Sequence, residues 1–235
     1  MSNHQGPEQA ISVVMPFYGD PSHFRAISLP FLKENRSAFQ EVVLVNGNPD
    51  PIELPPWAEG FVTQVMSEPG RGRQLHVGTL SALGTWFLFL HSDTSLIGNW
   101  QRSMADHTAQ DDAKPAVFRL TYDEDTPAGW LVGRWGTLRT RLFGVPYGDQ
   151  GLLISRRDYL AVGGFNTTFP LMEDVDLIAR LGGRSGIKLL DGATRTSFEK
   201  YRAEGWLRRG AKHWYYYFLY RRGVSPTELY KRYYR

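Results

Sequence analysis

The most informative stretch of this chain is Phe87-Leu-Phe-Leu-His-Ser-Asp93. A short, wholly apolar run ends abruptly in a polar cluster that contains one carboxylate. Runs of this kind are typical of strands that a parallel sheet buries on both faces. Open α/β sheets bind ligands just beyond the carboxyl ends of such strands. We therefore expect Asp93 to lie in a ligand site at that edge of a parallel sheet.

Other strands and helices alternate on both sides of this run. Apolar and β-branched stretches predict strands at residues 11–16, 41–46, 61–66, 85–91, 116–122, 151–155 and 187–190. Helices are predicted at residues 21–35, 73–84, 130–143, 173–181 and 203–220. The helix at 73–84 is expected to follow the apolar spacing of Leu75, Val77, Leu80 and Leu83. This alternation predicts an α/β fold with a mostly parallel central sheet flanked by helices.

Composition excludes several classes of protein. The 235 residues are 42% hydrophobic, which is enough for a folded core. There is no cysteine, so disulfides, thiolate metal sites and cysteine nucleophiles are excluded. Residues 1–10 lack the apolar segment of a secretory signal, and no apolar run approaches the ~20 residues of a membrane span. We expect a cytoplasmic protein.

Charge is distributed unevenly along the chain. Residues 195–235 carry a net charge of +8, whereas the preceding 194 residues carry −5. We therefore divide the chain into a main domain at 1–194 and a basic, aromatic helical extension at 195–235. The extension has an apolar stripe, for which two interpretations stay open: association with an anionic membrane at the inner face of the cell, or packing against the sheet. The stripe consists of Leu207, Ala211, Trp214 and Phe218.

Two carboxylate groups can carry chemistry. Magnesium is usually held by one or two carboxylates plus phosphate oxygens, and Asp93, with His91 and Ser92 beside it, suits that role. The alternative is that Asp93 only caps a turn or helix. Glu173-Asp174-Val-Asp176 begins a predicted helix, where the helix dipole accounts for one or two acidic residues. Three carboxylates within four residues should raise the pKa of at least one of them, as a general base requires.

Two glycine-rich segments accompany these carboxylates. Gly70-Arg71-Gly72-Arg73 precedes a helix, where paired arginines suit a phosphate group, although an exposed basic loop is the alternative. Gly148-Asp149-Gln150-Gly151 precedes a strand, and its glycines would allow the backbone to approach a ligand. An ordinary turn is the alternative there.

In this order, the motifs resemble those of family 2 glycosyltransferases with the GT-A fold. The resemblance runs from about Ile11 to the C-terminus. A finer similarity is to a small bacterial subfamily, some members of which are associated with arsenosugar biosynthesis while others carry carotenoid-glycosyltransferase names. The finer similarity rests on the segments Pro146-Tyr147-Gly-Asp-Gln150, Pro170-Leu-Met-Glu-Asp174 and Tyr220-Arg-Arg-Gly-Val-Ser-Pro226.

The resemblance implies an inverting hexosyltransferase that uses a nucleotide-diphosphate sugar and a divalent cation, Mg²⁺ or Mn²⁺. Asp174 matches the catalytic base, with Glu173 beside it, and Asp93 matches the last carboxylate of the DxD motif. His91 stands where the first DxD carboxylate usually lies, and it is a second candidate metal ligand. The nucleotide-sugar site would comprise Pro16, Tyr18, Asp20, Asn46, Arg71, Arg73, Ser92, Asp93, Asp149 and Gln150.

Asn46 is a departure from the family pattern, because an aspartate usually contacts the nucleobase at that position. An amide both donates and accepts hydrogen bonds, so it can still bind a uracil edge. The acceptor is not identified by the sequence, and a lipidic acceptor is compatible with the basic extension.

Other functional classes remain as alternatives. A nucleotidyltransferase would also use carboxylates at strand ends, but it usually has a lysine-rich loop after the first strand, and Phe17-Tyr-Gly-Asp-Pro21 has no lysine. A non-enzymatic peripheral membrane module would leave the carboxylates at 173–176 unexplained. Nucleic-acid binding by the extension is the weakest alternative, and we expect no nucleic-acid partner.

Overall fold

The computed structural model describes residues 10–234 and shows an α/β chain built on one eight-stranded sheet. The expectation about a signal segment therefore concerns residues that, apart from Ala10, lie outside the described range. The strands are β1 (Ile11–Phe17), β2 (Glu41–Asn46), β3 (Val62–Met66), β4 (Trp86–Phe89), β5 (Thr94–Ile97), β6 (Ala116–Tyr122), β7 (Leu152–Ser155) and β8 (Lys188–Thr196). Their spatial order is β3-β2-β1-β4-β7-β6-β8-β5.

The first half of the sheet is parallel and the second half is mixed. β3, β2, β1 and β4 run parallel, so their carboxyl ends meet at one edge. β7 runs antiparallel to both β4 and β6, β6 runs parallel to β8, and β5 runs antiparallel to β8. The predicted α/β class with a mostly parallel sheet is confirmed.

Helices cover both faces of the sheet. They are α1 (Leu29–Glu34), α2 (Arg71–Ser81), α3 (Trp100–Thr108), α4 (Pro127–Phe143), α5 (Arg156–Ala161), α6 (Glu173–Arg180), α7 (Glu199–Glu204), α8 (Trp206–Arg221) and α9 (Pro226–Tyr233), with a π-helical turn at Phe24–Ser28 before α1. Alternate residues of β1 serve the two faces: Val13 packs with α1 and α3, whereas Val14 packs with α2 and α6. Because both faces are covered, the central strands β1 and β4 are buried throughout and are apolar runs.

Helix α2 packs on the sheet through its glycine face, which corrects the predicted leucine stripe. Leu75 is buried, but Leu80 is exposed, and so is Leu83, which lies beyond the end of α2 at Ser81. A side chain at Gly78 would collide with Val14, so this glycine lets the helix approach β1 and β2 closely. The side of α2 that faces the sheet is therefore the one whose small residues let the two backbones come close, and not the one with the most leucines.

The sequence pattern did not predict β5 or α3, and it predicted only the start of β8. Residues 187–190 were predicted as the last strand, but β8 continues to Thr196. Its later residues are polar or small, although most of them are buried, so no continuous apolar run reveals them. The predicted boundary between residues 194 and 195 falls inside this strand, and the division into two units stays a prediction.

The C-terminal helices pack against the main body. One long helix was predicted at 203–220, but Gly205, with a φ of 82°, separates α7 from α8, and α9 follows. Tyr216 of α8 and Leu229 of α9 are buried in a cluster with Met172 and Val175, at the start of α6. Among residues 10–234, no helix combines the length and the apolar character needed to cross a membrane.

Candidate active site

Asp174 lies at the carboxyl edge of the sheet and is held from three directions. Its Oδ2 atom accepts hydrogen bonds from the backbone N–H of Gly148 at 2.9 Å and from the Arg71 guanidinium at 3.2 Å, while Oδ1 accepts from Val175 N at 2.8 Å. The side chain keeps 14% of its surface exposed. This geometry gives a fixed carboxylate that solvent or a substrate can still reach.

The turn before Asp174 is conformationally unusual. Met172 has a φ of 66°, and it is the one non-glycine residue with positive φ among the residues that the structure describes. Such a conformation is costly for a side chain with a Cβ, and it persists only where surrounding contacts hold it. Met172 is buried against α8 and α9, so the C-terminal helices help to hold the turn that carries Asp174.

Glu173 occupies a different environment from its neighbour. Its side chain is almost completely buried and forms an ion pair with Arg71. Burial, together with the neighbouring Asp174 charge, raises the pKa of Glu173, whereas Arg71 opposes the rise. Gly72 makes room for this contact, because a Cβ there would lie 3.0 Å from the Glu173 Cβ. Arg71 thus bridges both carboxylates, and the glycine beside it is required by packing.

Gln74 is a site-shaping residue to which the sequence analysis gave no role. Its buried Nε2 donates hydrogen bonds to Phe17 O at 2.7 Å and to Val45 O at 2.9 Å. The side chain therefore joins the carboxyl ends of β1 and β2 to the start of α2. Arg73, by contrast, points outward and pairs with the exposed Glu68.

The loops that follow β1 and β2 are tied to each other. Gly19 N donates to Asn48 Oδ1 and Asn48 Nδ2 donates to Gly19 O, both at 2.9 Å. Tyr18 is 66% exposed beside this pair. Asp20 is also exposed, and hydrogen bonds from Ser22 lower its pKa. The side chains of Tyr18 and Asp20 are therefore accessible to a ligand. Pro16, in contrast, lies buried within β1.

Asn46 is completely buried beneath these loops. Its Nδ2 donates to Asp50 O at 2.8 Å, and its Oδ1 accepts from Asn48 N at 2.8 Å. Both ends of the amide are thus used within the loop after β2. In this position the side chain shapes the loop, and its amide has no unbonded edge to offer a nucleobase.

Asp93 lies between β4 and β5 and is partly accessible. Its Oδ1 accepts hydrogen bonds from the hydroxyls of Thr94 at 3.2 Å and Thr196 at 3.3 Å, and no hydrogen bond from residues 10–234 reaches Oδ2. The backbone carbonyl of the adjacent Ser92 accepts from Ser28 Oγ at 2.9 Å. Burial, with the nearby Arg71 charge, lowers the pKa of His91 to about 4, so its imidazole is neutral near pH 7.

These residues fit a divalent cation that is held in part by a substrate. Within residues 10–234, no three His, Asp or Glu side chains come close enough to form a complete metal site. A neutral imidazole and a carboxylate with one free oxygen are suitable ligands, and Mg²⁺ commonly takes one or two carboxylates plus phosphate oxygens. The donor set therefore suits a cation that binds together with a diphosphate.

The segment at 148–151 is packed into the protein, and its residues have different partners there. Gln150 is buried, where its Oε1 accepts from Thr140 Oγ1 at 2.7 Å and its Nε2 donates to Phe118 O at 3.0 Å. Asp149 Oδ1 is buried without a hydrogen-bond partner among the described residues, and burial raises the pKa of this carboxyl group. Gly148 is required by sterics, since a Cβ there would lie 2.8 Å from His91 Nε2.

Helix α8 covers this segment through His213, which the sequence analysis did not identify. The Tyr147 ring lies between the Arg139 guanidinium, 3.6 Å from its centroid, and the His213 ring, whose centroid is 6.0 Å away. Burial and nearby cations lower the pKa of His213 to about 3, so the imidazole stays neutral. Only the tertiary contact between α8 and the loop before β7 could reveal this arrangement.

No protein-family model and no curated protein matches this chain. Solved structures do match. TarS 1–349 of S. aureus has a TM-score of 0.59 at 14% identity, over 80% of this chain and 60% of that one. Its complex with UDP-GlcNAc has a TM-score of 0.60 at 13% identity, over 80% of this chain and 58% of that one. Its complex with UDP has a TM-score of 0.59 at 15% identity, over 80% of this chain and 60% of that one.

The chain thus spans about 60% of the length of these TarS chains. At 13–15% identity, the likeness concerns the fold alone. It confirms the predicted GT-A fold class: a curled eight-stranded sheet flanked by helices, with a helical C-terminal portion.

Proposed function

We propose that this protein is an inverting glycosyltransferase that moves a sugar from a nucleotide-diphosphate sugar to an acceptor hydroxyl. The observation that carries the proposal is the Asp174 carboxylate, fixed by Gly148 N–H and Arg71 at the carboxyl edge of a GT-A sheet. The complexes of TarS with UDP-GlcNAc and UDP support a uridine nucleotide as the first donor class to test. The motifs support membership of family 2.

The donor would lie across the ends of β1, β2 and β4. Tyr18 and Asp20 are exposed there and suit the nucleoside, while Asn46 and Gln150 act from within by shaping the loops. Arg73 is available to the diphosphate, because an exposed ion pair such as Arg73–Glu68 contributes only about 0–1 kcal/mol and is readily exchanged.

A cation would be held by Asp93, with His91 as a second ligand. When bound, Mg²⁺ or Mn²⁺ supplies Lewis-acid stabilisation of the departing diphosphate. Asp174 takes the proton of the acceptor hydroxyl as the acceptor oxygen attacks the anomeric carbon. The bond from that carbon to the diphosphate breaks, and the nucleoside diphosphate leaves with the bonding electrons. Glu173 acts indirectly, by holding Arg71 against Asp174.

A nucleotide-binding screen tests the proposal. We expect UDP and UDP-GlcNAc to raise the melting temperature in the presence of Mn²⁺, because a ligand at 100 times its Kd stabilises the folded state by about 2.7 kcal/mol. GDP and TDP sugars serve as matched comparisons. A nucleotidyltransferase would instead release pyrophosphate from a nucleoside triphosphate, so pyrophosphate release from ATP tests that alternative. If no nucleotide diphosphate raises the melting temperature, the proposed donor site is wrong.

A further inference from the structure

A large cavity opens between α4 and α8, about 340 Å³ in volume. Its floor is formed by β6 and its walls are predominantly aromatic and aliphatic. The lining includes Leu131, Trp135, Trp206, Leu207 and Trp214. Leu131, Trp135 and Leu207 are between 42% and 68% exposed, so they form the rim where the cavity meets solvent.

The inner end of this cavity lies beside the proposed catalytic base. Asp149 lines it, and the preceding residue, Gly148, donates its N–H to Asp174. Two other polar groups at this end are already occupied: Arg139 donates to Val145 O, and His213 bonds with Tyr201 and Tyr233. Two buried polar atoms of the lining, Asp149 Oδ1 and the Tyr122 hydroxyl, have no hydrogen-bond partner among the described residues. A buried carboxylate oxygen needs a donor, and one hydroxyl of a bound molecule would supply it.

The surface around the rim is apolar and basic. Helices α4 and α8 together carry seven lysines and arginines, of which Arg139 is buried, and no acidic residue. Their exposed faces present large apolar side chains between 43% and 61% exposed: Trp130, Leu138, Leu142, Phe143 and Phe218. An apolar patch with interspersed cations is typical of a surface that lies on an anionic membrane.

We infer that the acceptor is a hydroxyl-bearing lipid, drawn from a membrane on which α4 and α8 rest. Its apolar chain lies in the α4–α8 cavity, and its hydroxyl reaches Asp149, next to Asp174. This inference rests on the proposed function. A soluble sugar acceptor fits less well, because a sugar needs several hydrogen-bonding partners, and only Asp149 Oδ1 and the Tyr122 hydroxyl are without a partner among these mostly apolar walls. In the transfer step, the hydroxyl turns from Asp149 to Asp174 and gives its proton to Asp174 as the lipid oxygen bonds to the anomeric carbon. The bond from that carbon to the diphosphate breaks, and the nucleoside diphosphate leaves with the bonding electrons.

Gly210 provides the test, because it lines the cavity and a Cβ built there meets nothing within 4 Å. Gly210→Phe should fill the cavity, whereas Gly210→Ala controls for the change in helix propensity. The probe is a brominated twelve-carbon alcohol, which quenches the cavity tryptophans Trp135, Trp206 and Trp214 on contact.

We expect saturable quenching of wild type and Gly210→Ala, and at least tenfold weaker binding to Gly210→Phe. The UDP-GlcNAc-induced rise in melting temperature should be the same in all three proteins, which also shows that Gly210→Phe is folded. Equal quenching in Gly210→Phe, or displacement of the alcohol by cellobiose but not by dodecanol, would overturn the lipid assignment. If quenching is as expected but UDP-GlcNAc does not raise the melting temperature of any of the three proteins, the lipid site is supported and UDP-GlcNAc is refuted as the donor.

A second variant needs no change in packing. Leu207→Glu places a negative charge on the exposed rim, and Leu83→Glu is its control, since Leu83 is equally exposed near the end of α2. We expect wild type and Leu83→Glu to float with vesicles of phosphatidylcholine and phosphatidylglycerol at low salt, and Leu207→Glu to float at least fivefold less. Equal flotation of Leu207→Glu, or no flotation of wild type, would refute the membrane-facing cavity.

Discussion

Asp174→Asn is the most direct test of the proposed catalytic base. The amide keeps the size of the carboxylate and can still accept the hydrogen bond from Gly148 N–H, but it cannot take a proton from the acceptor. Loss of a general base typically slows a reaction ~10²–10⁴-fold, which corresponds to a barrier higher by about 2.7–5.5 kcal/mol.

The same change should affect stability only slightly. A hydrogen bond to a charged partner contributes roughly 1.5–3 kcal/mol and a neutral one roughly 0.5–1.5, so weakening the Arg71–Asp174 contact should cost about 1 kcal/mol. For a chain of 235 residues this is a fall in melting temperature of roughly 2–4 °C.

The assay is UDP release from UDP-GlcNAc, with dodecanol or water as acceptor, alongside the donor-induced rise in melting temperature. Asp176→Asn is the matched control, because Asp176 lies on the same helix at similar exposure and pairs with Arg180 instead. We expect Asp174→Asn to lose turnover and retain donor binding, and Asp176→Asn to keep most of its turnover. If Asp174→Asn keeps more than about a tenth of wild-type turnover, or if Asp176→Asn falls as far, the assignment of the base is wrong.

Three further changes probe the rest of the site. Asp93→Ala should reduce the Mn²⁺-dependent part of the donor-induced rise in melting temperature, because Asp93 would hold the cation. EDTA should have the same effect on wild type. An unaltered rise under both treatments contradicts the metal assignment. Asn46→Asp should lower the melting temperature by several degrees, since a carboxylate would face Asp50 O in place of the amide donor and an unmatched buried group costs about 1–3 kcal/mol. An unchanged melting temperature would show that Asn46 is not a structural part of its loop. Gly148→Ala should slow UDP release at least tenfold, because the added Cβ would press on His91 and displace the N–H that holds Asp174. A rate like that of wild type would show that the turn adapts.

Much of the fold could be predicted because the determining information is local. β1, β2 and β4 are largely apolar runs buried on both faces, and such runs are visible without any knowledge of their partners. The clustered carboxylates at 173–176 and the glycines around Arg71 could be recognised in the same way. β5 and α3 were missed because their burial comes from distant partners: β5 pairs with β8, about a hundred residues later.

An α/β sheet with carboxylates near its strand ends could be inferred from the residue pattern alone. Which of those carboxylates stays accessible depends on the tertiary structure. Glu173 and Asp174 are adjacent in sequence, yet one is buried against Arg71 and the other remains partly exposed. The contacts responsible join α6 to α2, 103 residues away, and to Gly148. The same holds for the α4–α8 cavity, whose walls come from helices separated by more than sixty residues. Burial and hydrogen bonding depend on which segments the folded chain brings together, and residue patterns along the chain do not contain that information.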